Sequence, residues 1–366
     1  MEGKEIFNFS PGPACLPKEV LKQIQDEFLN YKGKGFSIIE MFNRSKEFLE
    51  LAAEVEKDLR SLINLPDNYA AMWASSGAYL QFSSVPLNIG GGPESTATYV
   101  ETGHWSMEAA KEARKFLNVS PAWQPSEDRY LYTLPEPEEF NIHKDSKYVY
   151  YCDNETVHGV EYHTPIVTEG VPVVCDMTSS FLTKPLNWDR FDVIVSAVQK
   201  NLGPAGITSL IVNKKLLGNK RADTPIMCDW ETQYNCGGFY NTANVFALYV
   251  CGLNLKYLKK FGLEYFDDLA KQRSTLIYDV IDSSNGFYRN QVDLKHRSRL
   301  NCQFRLKSKE EDDKFLKTAE EAGFLWLNGH IKYGGCRANM YNAMPIEGAE
   351  KLRNFMKQYQ DEQERL

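Results

Sequence analysis

Six short apolar runs between residues 69 and 212 constrain the fold of this chain more than any other feature. They are YAAMWA (69–74), ATYVET (97–102), KYVYYC (147–152), VPVVCD (171–176), FDVIVSAV (191–198) and ITSLIV (207–212). Successive side chains of a strand point to opposite faces, so a strand that is apolar at consecutive positions is buried on both faces. Loop or helix-compatible segments separate the runs. The pattern therefore predicts an α/β fold with a mainly parallel sheet covered by helices.

The segments on either side of these runs predict the remaining architecture. Upstream, apolar residues recur at three- and four-residue steps, which is typical of amphipathic helices. From about residue 260 the pattern changes, and alternating and helical segments follow one another. The further predicted elements are helices at 18–31, 45–64 and 311–322, a terminal helix from about 347, and strands within 299–306 and 336–343. We predict two domains: residues 1–259 as N-terminal segment and large domain, and 260–366 as a smaller α+β domain.

Composition excludes several classes of protein. The 366 residues carry a formal charge of -7, which argues against nucleic acid or an anionic membrane as the main partner. None of the eight cysteines falls into a CxxC pair, so neither a zinc site nor a disulfide framework is expected. No window approaches the length of a membrane span, and the first residues lack the apolar core of a signal peptide. We expect a cytoplasmic protein without a metal.

Asp176 and Lys200 are the first candidates for a reactive pair. Each stands at the end of an apolar run, and a loop with Gly203, Pro204 and Gly206 follows the lysine. Ligands of open α/β sheets bind at the carboxyl ends of the strands. An aspartate there is more often a cap, and a lysine is more often solvated. Together they match the needs of pyridoxal phosphate: a lysine that forms a Schiff base, and a carboxylate that keeps the ring nitrogen protonated.

Two upstream segments could supply the rest of such a site. In ASSGAYLQF (74–82), small residues precede an apolar helix-like stretch, and a helix start offers free N–H groups to a phosphate. A simple N-cap by Ser75 or Ser76 explains that segment equally well. Trp105 follows a strand at the start of a helix, where it could stack on the cofactor ring or simply pack in the core.

Several strings resemble one family. They are NFSPGPACLP, NRSKEF, YCDNETVHGV, QKNLGPAG, FYNTANVFALYV and GHIKYGGCRANMYNAMP, and they are spread over nearly the whole chain. The chain resembles the phosphoserine aminotransferases, a branch of the fold-type I pyridoxal-phosphate enzymes. QKNLGPAG and GGCRANMYNAMP, in that order, are the specific part of the match.

The resemblance implies roles for twelve residues. Lys200 would form the Schiff base, Asp176 would hold the pyridine nitrogen, Trp105 would stack on the ring, and Thr156 would lie near the ring hydroxyl. Gln199 and the backbone N–H groups of Ala78 and Tyr79 would bind the phosphate, and Asn241 and Thr242 would complete that site from the other subunit of a homodimer. For the substrate, Arg337 would bind the α-carboxylate, and Arg44 and His330 the distal anion.

Three positions depart from the family pattern. Asn43 stands where a histidine is common, Ile331 where an arginine is common, and Tyr79 where an arginine or a small residue is common. If residues 331 and 332 lay on a strand, Lys332 would face away from the side of Ile331 and could not replace the arginine. We therefore expect a less basic distal anion site.

The resemblance implies that the chain transfers an amino group from glutamate to 3-phosphohydroxypyruvate, giving O-phosphoserine and 2-oxoglutarate in serine biosynthesis. Two alternatives stay open at this point. One is a related aminotransferase that acts on alanine, serine or glyoxylate. The other is a non-catalytic dimer that keeps the fold as a binding module. A nucleotide site at SSGAY is disfavoured, since the chain has neither GxGxxG nor a P-loop lysine.

Overall fold

The computed structural model describes residues 5–123 and 132–365, and the elements below lie within those ranges. The strands are β1 (Phe7–Asn8), β2 (Tyr69–Ala74), β3 (Thr96–Tyr99), β4 (Asn118–Pro121), β5 (Ser146–Cys152), β6 (Asn154–Glu155), β7 (Val160–Glu161), β8 (Val173–Asp176), β9 (Val193–Ala197), β10 (Thr208–Asn213), β11 (Asn301–Phe304), β12 (Phe324–Leu325), β13 (Asn328–His330) and β14 (Gly334–Asn339). The α-helices are α1 (Lys18–Glu27), α2 (Lys46–Leu62), α3 (Ala78–Ile89), α4 (His104–Ala113), α5 (Trp230–Asn235), α6 (Val245–Phe261), α7 (Leu263–Ser283), α8 (Lys309–Ala322) and α9 (Ile346–Glu364).

The central sheet has the strand order β2-β10-β9-β8-β5-β3-β4. Only β10 runs antiparallel to its neighbours, so the sheet is mainly parallel, as predicted. Each of the six apolar runs overlaps one strand of this sheet and covers it to within one residue at either strand end. The seventh strand, β4, is at the edge of the sheet and partly exposed, so its sequence NVSP lacks the two-sided apolar pattern of the others.

Apolar clusters cover both faces of this sheet. On one face, alternate side chains such as Tyr151, Cys175 and Ile194 join a cluster with residues of α2 and α6. On the other face, Tyr150, Val174 and Val195 join a cluster with residues of α3 and α4. The two clusters explain why the strands are apolar at consecutive positions, and the predicted fold class is confirmed.

A smaller sheet, with the order β11-β14-β13 and antiparallel pairing, lies in the C-terminal part. Its apolar face packs with α8, α9 and the second half of α7, and Phe7 and Phe9 from the start of the chain join the same cluster. Strand β1 also pairs in parallel with β12, opposite Phe324 and Leu325. The N-terminal segment thus bridges the two parts. The predicted boundary at residue 260 stays a prediction.

Helix α1 ends earlier than the sequence predicted. The predicted segment ran to Tyr31, but the helix ends at Glu27. The side chain of Asn30 accepts a hydrogen bond from the N–H of Gly35, and the N–H of Tyr31 donates to the carbonyl of Phe36. These local bonds compete with helix continuation. Within the described ranges, no helix is long and apolar enough to cross a membrane.

Candidate active site

The carboxyl ends of five parallel strands meet at one edge of the central sheet, where we expected the candidate residues to lie. A predicted site residue ends or follows each of them: Ala78 and Tyr79 after β2, Trp105 after β3, Thr156 after β5, Asp176 at the end of β8, and Gln199 and Lys200 after β9. Together with His330 and Arg337 from the smaller sheet, these residues line one cavity of about 290 Å³. That volume is close to the lower limit of about 300 Å³ for small-molecule sites.

Lys200 is buried, with 7% of its surface exposed, and its Nζ donates a 2.6 Å hydrogen bond to Oγ1 of Thr156. Burial lowers its pKa to about 8, while the negative charge of Asp176 acts in the opposite direction. A lysine on a solvated strand end would have no such shift. The lysine is therefore held in the protein interior with an amine that can lose its proton near neutral pH.

The N-terminal segment forms one wall around Lys200. Gly12 has a φ of +132°, and a Cβ there would lie 3.3 Å from Cγ of the lysine. Both the conformation and the close approach favour glycine. The N–H of Ala14 donates a 2.9 Å hydrogen bond to the carbonyl of Gln199. The segment around residues 11–14 is thereby attached to the loop that carries the lysine.

Asp176 is buried at the end of β8. Its Oδ1 accepts a 2.8 Å hydrogen bond from the N–H of Thr178, and its Oδ2 accepts one of 3.4 Å from the hydroxyl of Tyr150. Burial raises the pKa of this carboxyl, while the Thr178 hydrogen bonds and the Lys200 charge act to lower it. The carboxylate is thus fixed in orientation, and a cationic partner in the cavity would favour its ionised form.

The start of α3 has the geometry of an anion site. Its N-cap is Gly77, and no side chain caps the helix, so the N-cap by Ser75 or Ser76 that the sequence left open is wrong. The hydroxyl of Ser75 instead donates to Oδ1 of Asn241 at 3.1 Å. The first N–H groups of α3, on Ala78 and Tyr79, have no side-chain cap and lie at the cavity, where the helix dipole favours negative charge.

Arg337 points from β14 into the same cavity. It is 3% exposed, and its Nη1 donates a 2.8 Å hydrogen bond to the carbonyl of Thr156. Its Nε is buried and has no hydrogen-bond partner among the described residues. A buried guanidinium with an unpaired donor matches a carboxylate ligand, because burying an unpaired polar group is costly.

The remaining three candidates do not line this cavity. Arg44 is exposed in the turn before α2, and Thr242 is exposed in the segment before α6. Asn241 contacts Ser75, next to the start of α3. A single chain therefore brings together nine of the twelve predicted residues.

A model of the class-V aminotransferases matches residues 6–352. The chain belongs to the class-V aminotransferase family. It is 42% identical to the phosphoserine aminotransferase of Laribacter hongkongensis over 97% of this chain and 98% of the relative. The solved phosphoserine aminotransferase of Bacillus circulans subsp. alkalophilus has a TM-score of 0.95 and 36% identity, and covers 98% of this chain and 99% of its own. The pyridoxal-phosphate-bound phosphoserine aminotransferase of Trichomonas vaginalis has a TM-score of 0.92 and 32% identity, with coverage of 96% and 100%.

Sequence reasoning missed a residue that positions Trp105 in this class-V aminotransferase. Glu155 is buried, and its carboxylate accepts the N–H groups of Trp105 at 3.0 Å and Ser106 at 2.8 Å. A Cβ on Gly103 would lie 2.5 Å from the Glu155 side chain, so glycine is required there. The carboxylate caps α4 and fixes the first turn that carries Trp105. The string CDNETVHG contained Glu155, but no local pattern indicated a contact 50 residues away.

The segment after His330 differs from the conformation expected from the sequence. In the sequence analysis we considered residues 331 and 332 as strand positions whose side chains face opposite sides. Instead, residues 331–333 form the turn between β13 and β14, so strand alternation does not apply. Ile331 is 99% exposed, and Nζ of Lys332 lies 5.3 Å from the ring centroid of Tyr333. The backbone N–H of Lys332 donates a 3.3 Å hydrogen bond to Nδ1 of His330, which lines the cavity.

Proposed function

We propose that this class-V aminotransferase is a phosphoserine aminotransferase. It uses pyridoxal phosphate to move an amino group from glutamate to 3-phosphohydroxypyruvate, giving O-phosphoserine and 2-oxoglutarate. The observation that carries the proposal is the cavity that a buried Lys200, a buried Asp176 and a buried Arg337 line together. The names of the relatives, at 42% identity over nearly the whole chain, support the same substrate pair.

The residues present fit pyridoxal phosphate. The uncapped start of α3 would hold the phosphate, with Gln199 beside it, and Trp105 would cover one face of the ring. The buried Nε1 of Trp105 has no partner among the described residues, so a polar group of a ligand could pair with it. Asp176 would accept a hydrogen bond from the ring nitrogen, and Thr156 lies beside the lysine near the expected ring hydroxyl.

The chain's own groups can move the proton that transamination requires. When bound, the cofactor would supply an electron sink for the substrate Cα. Nζ of Lys200, with a pKa lowered to about 8 by burial, can accept a proton from that carbon and release it again. Asp176, held by Thr178 and Tyr150, would keep a positive charge on the ring side of the cavity.

Arg337 and His330 would orient the substrate. The guanidinium is buried, and its free Nε together with its charge would bind the α-carboxylate that every substrate of the reaction carries. His330 lines the same cavity at its outer end, where the distal phosphate or γ-carboxylate would be placed. An acidic substrate would therefore bind in one orientation, with its α-carboxylate at Arg337 and its distal anion at His330.

We also propose that the working form is a homodimer. Arg44, Asn241 and Thr242 lie outside the cavity of their own chain, and a second subunit would bring them to it. Large apolar side chains near them are exposed, among them Ile39 at 58%, Phe42 at 65% and Tyr240 at 41%. Such side chains are typical of protein interfaces. The cytoplasmic location expected from the sequence stays a prediction.

The first experiment removes the lysine. Purified Lys200→Ala should show no imine absorbance and no half-reaction with glutamate, because the amine that bonds to the cofactor and moves the proton is gone. Lys57→Ala, an exposed change on α2, is the control and should behave as the wild type. Normal turnover by Lys200→Ala would refute the assignment, and a colourless wild type that takes up no cofactor would favour a binding module.

The acceptor is tested with the same wild-type preparation. Glutamate is the donor, and 3-phosphohydroxypyruvate and glyoxylate are compared side by side. A strong preference for the phosphorylated acceptor is expected, because the outer end of the cavity carries His330. Equal or better use of glyoxylate would favour the related aminotransferase instead.

A further inference from the structure

Three aromatic side chains cluster around His330, the one of them that lines the cavity, and we call this cluster the rim. His104 begins α4, His330 ends β13, and Tyr333 is in the turn that follows. The ring centroid of His104 is 4.7 Å from that of His330 and 6.0 Å from that of Tyr333. Both imidazoles are partly exposed, so a ligand group that enters from solvent can reach them.

The charges around this rim are mainly positive. Burial lowers the pKa of both His104 and His330, and the charge of Lys332 lowers each further. The positive charge of Arg337 also lowers the pKa of His330. The negative charge of Glu108 acts to raise the pKa of His104. The Glu108 carboxylate itself lies 3.9 Å from Nζ of Lys111. An anion bound at the rim would therefore meet two cations and two imidazoles that can donate hydrogen bonds.

His158 lies behind His104 and helps to orient it. The backbone N–H of His104 donates to Nδ1 of His158 at 3.3 Å, so Nε2 of His158 carries the ring hydrogen. His158 is 3% exposed, and this Nε2 has no partner among the described residues. Burial and the surrounding positive groups, among them His104, His330, Arg337 and Lys332, lower its pKa to about 3. His158 is thus a neutral donor.

Two positions that the resemblance assigns to this end of the substrate carry no charge in this chain. They are Asn43 and Ile331. The side chain of Ile331 is almost fully exposed in the turn and contributes no charge. His104 and Lys332 are basic residues that the sequence reasoning did not assign to the site, and the structure places both beside His330.

We propose that His104 is a specificity-determining residue, whose imidazole binds the distal phosphate of the phosphorylated substrate together with His330 and Lys332. This inference rests on the proposed function, since it names a further residue of the same site. On this arrangement the anion site is completed from α4 rather than from positions 43 and 331. The preference for a phosphorylated acceptor then depends on His104.

The test compares two acceptors on holoenzyme variants, with glutamate as donor. The acceptors are 3-phosphohydroxypyruvate and hydroxypyruvate, which lacks the phosphate. His104→Ala should raise KM for the phosphorylated acceptor about tenfold, near the lower end for one charge-assisted hydrogen bond. Both kcat values and the KM for hydroxypyruvate should stay within about twofold, because hydroxypyruvate lacks the phosphate and a lost binding contact raises KM without changing kcat. His104→Lys should keep the preference, because it retains a hydrogen-bond donor at the start of α4.

His143→Ala is the matched control, since His143 lies on the loop before β5 and outside the cavity. An equal rise in KM for both acceptors, or an unchanged ratio, would overturn the inference and leave the proposed function intact. If the wild type shows no preference for the phosphorylated acceptor, the proposed function fails first. If His104→Ala does not fold, His104→Phe decides, because it keeps a ring but removes the donor: a lost preference supports the role of the imidazole, and a retained preference contradicts it.

Discussion

Burial gives Lys200 an amine that is reactive near neutral pH. In water a lysine side chain has a pKa of about 10.4 and is almost fully protonated at pH 7. Here the desolvated ammonium is disfavoured, while Thr156 still accepts its hydrogen bond and Asp176 partly offsets the loss of solvation. The same carboxylate that would hold the cofactor ring thus limits how far burial lowers the pKa of the lysine.

The rate at which apoprotein takes up pyridoxal phosphate should depend on pH accordingly. Only the neutral amine attacks the aldehyde, so the rate should rise as pH increases through about 8, the lowered pKa of Lys200. In Asp176→Asn the opposing negative charge is absent, so the midpoint should move to lower pH. Stopped-flow absorbance measures both profiles. A wild-type midpoint near 10, or a shift to higher pH in the variant, would contradict this account.

At the scale of elements, the packing around the small C-terminal sheet depends on one aromatic cluster. Phe315 of α8 is fully buried, and its ring meets Tyr359 at 5.1 Å, Phe304 at 5.4 Å and Tyr288 at 5.8 Å, each nearly edge to face. These contacts join α8 and α9 to the face of β11. Edge-to-face pairs add to the free energy of burial.

Phe315→Ala should therefore lower the free energy of unfolding by about 3–5 kcal/mol, because it leaves a cavity in a packed cluster. Urea unfolding followed by tyrosine fluorescence and circular dichroism gives the value. Lys317→Ala, an exposed change on the same helix, should stay within about 0.5 kcal/mol of the wild type. A loss below about 1 kcal/mol for Phe315→Ala would show that α8 does not depend on this cluster.

The elements that could be predicted are those whose own residues show an apolar pattern or a helical spacing. Strands β5 and β9 are apolar on both faces, and the three- and four-residue spacing of α2 gave its extent to within two residues. Edge strand β4 lacks that pattern. The early end of α1 and the turn at 331–333 depend on local hydrogen bonds that periodicity does not report. Lys200 and Asp176 follow from strand ends, whereas Glu155 and His104 act through contacts distant in the sequence.

At the scale of the whole molecule, the proposed homodimer would complete the site. Arg44 is exposed, Asn241 is partly exposed, and the exposed side chain of Phe42 is next to Asn43. An interface of standard size buries about 1,600 Å² in total. Apolar side chains at its centre contribute much of the binding energy.

Phe42→Asp should shift the protein toward monomers and weaken retention of the cofactor, because a desolvated charge at an interface is costly. Light scattering gives the mass, and absorbance after dialysis gives the bound cofactor. Leu294→Asp is the control, since Leu294 is 71% exposed on the loop before β11. A Phe42→Asp protein that remains dimeric and fully loaded would argue against an interface at this residue.

The pairing of β1 with β12 also determines when the cavity around Lys200 can form during protein synthesis. Phe7 lies opposite Phe324, so the first strand emerges from the ribosome 317 residues before its partner. At about 5–20 residues per second, that interval is roughly 15–60 s. The stretch after β1 contributes Pro11 and Gly12 to the cavity wall around Lys200. A nascent chain therefore cannot assemble the reactive lysine's surroundings until translation is almost finished.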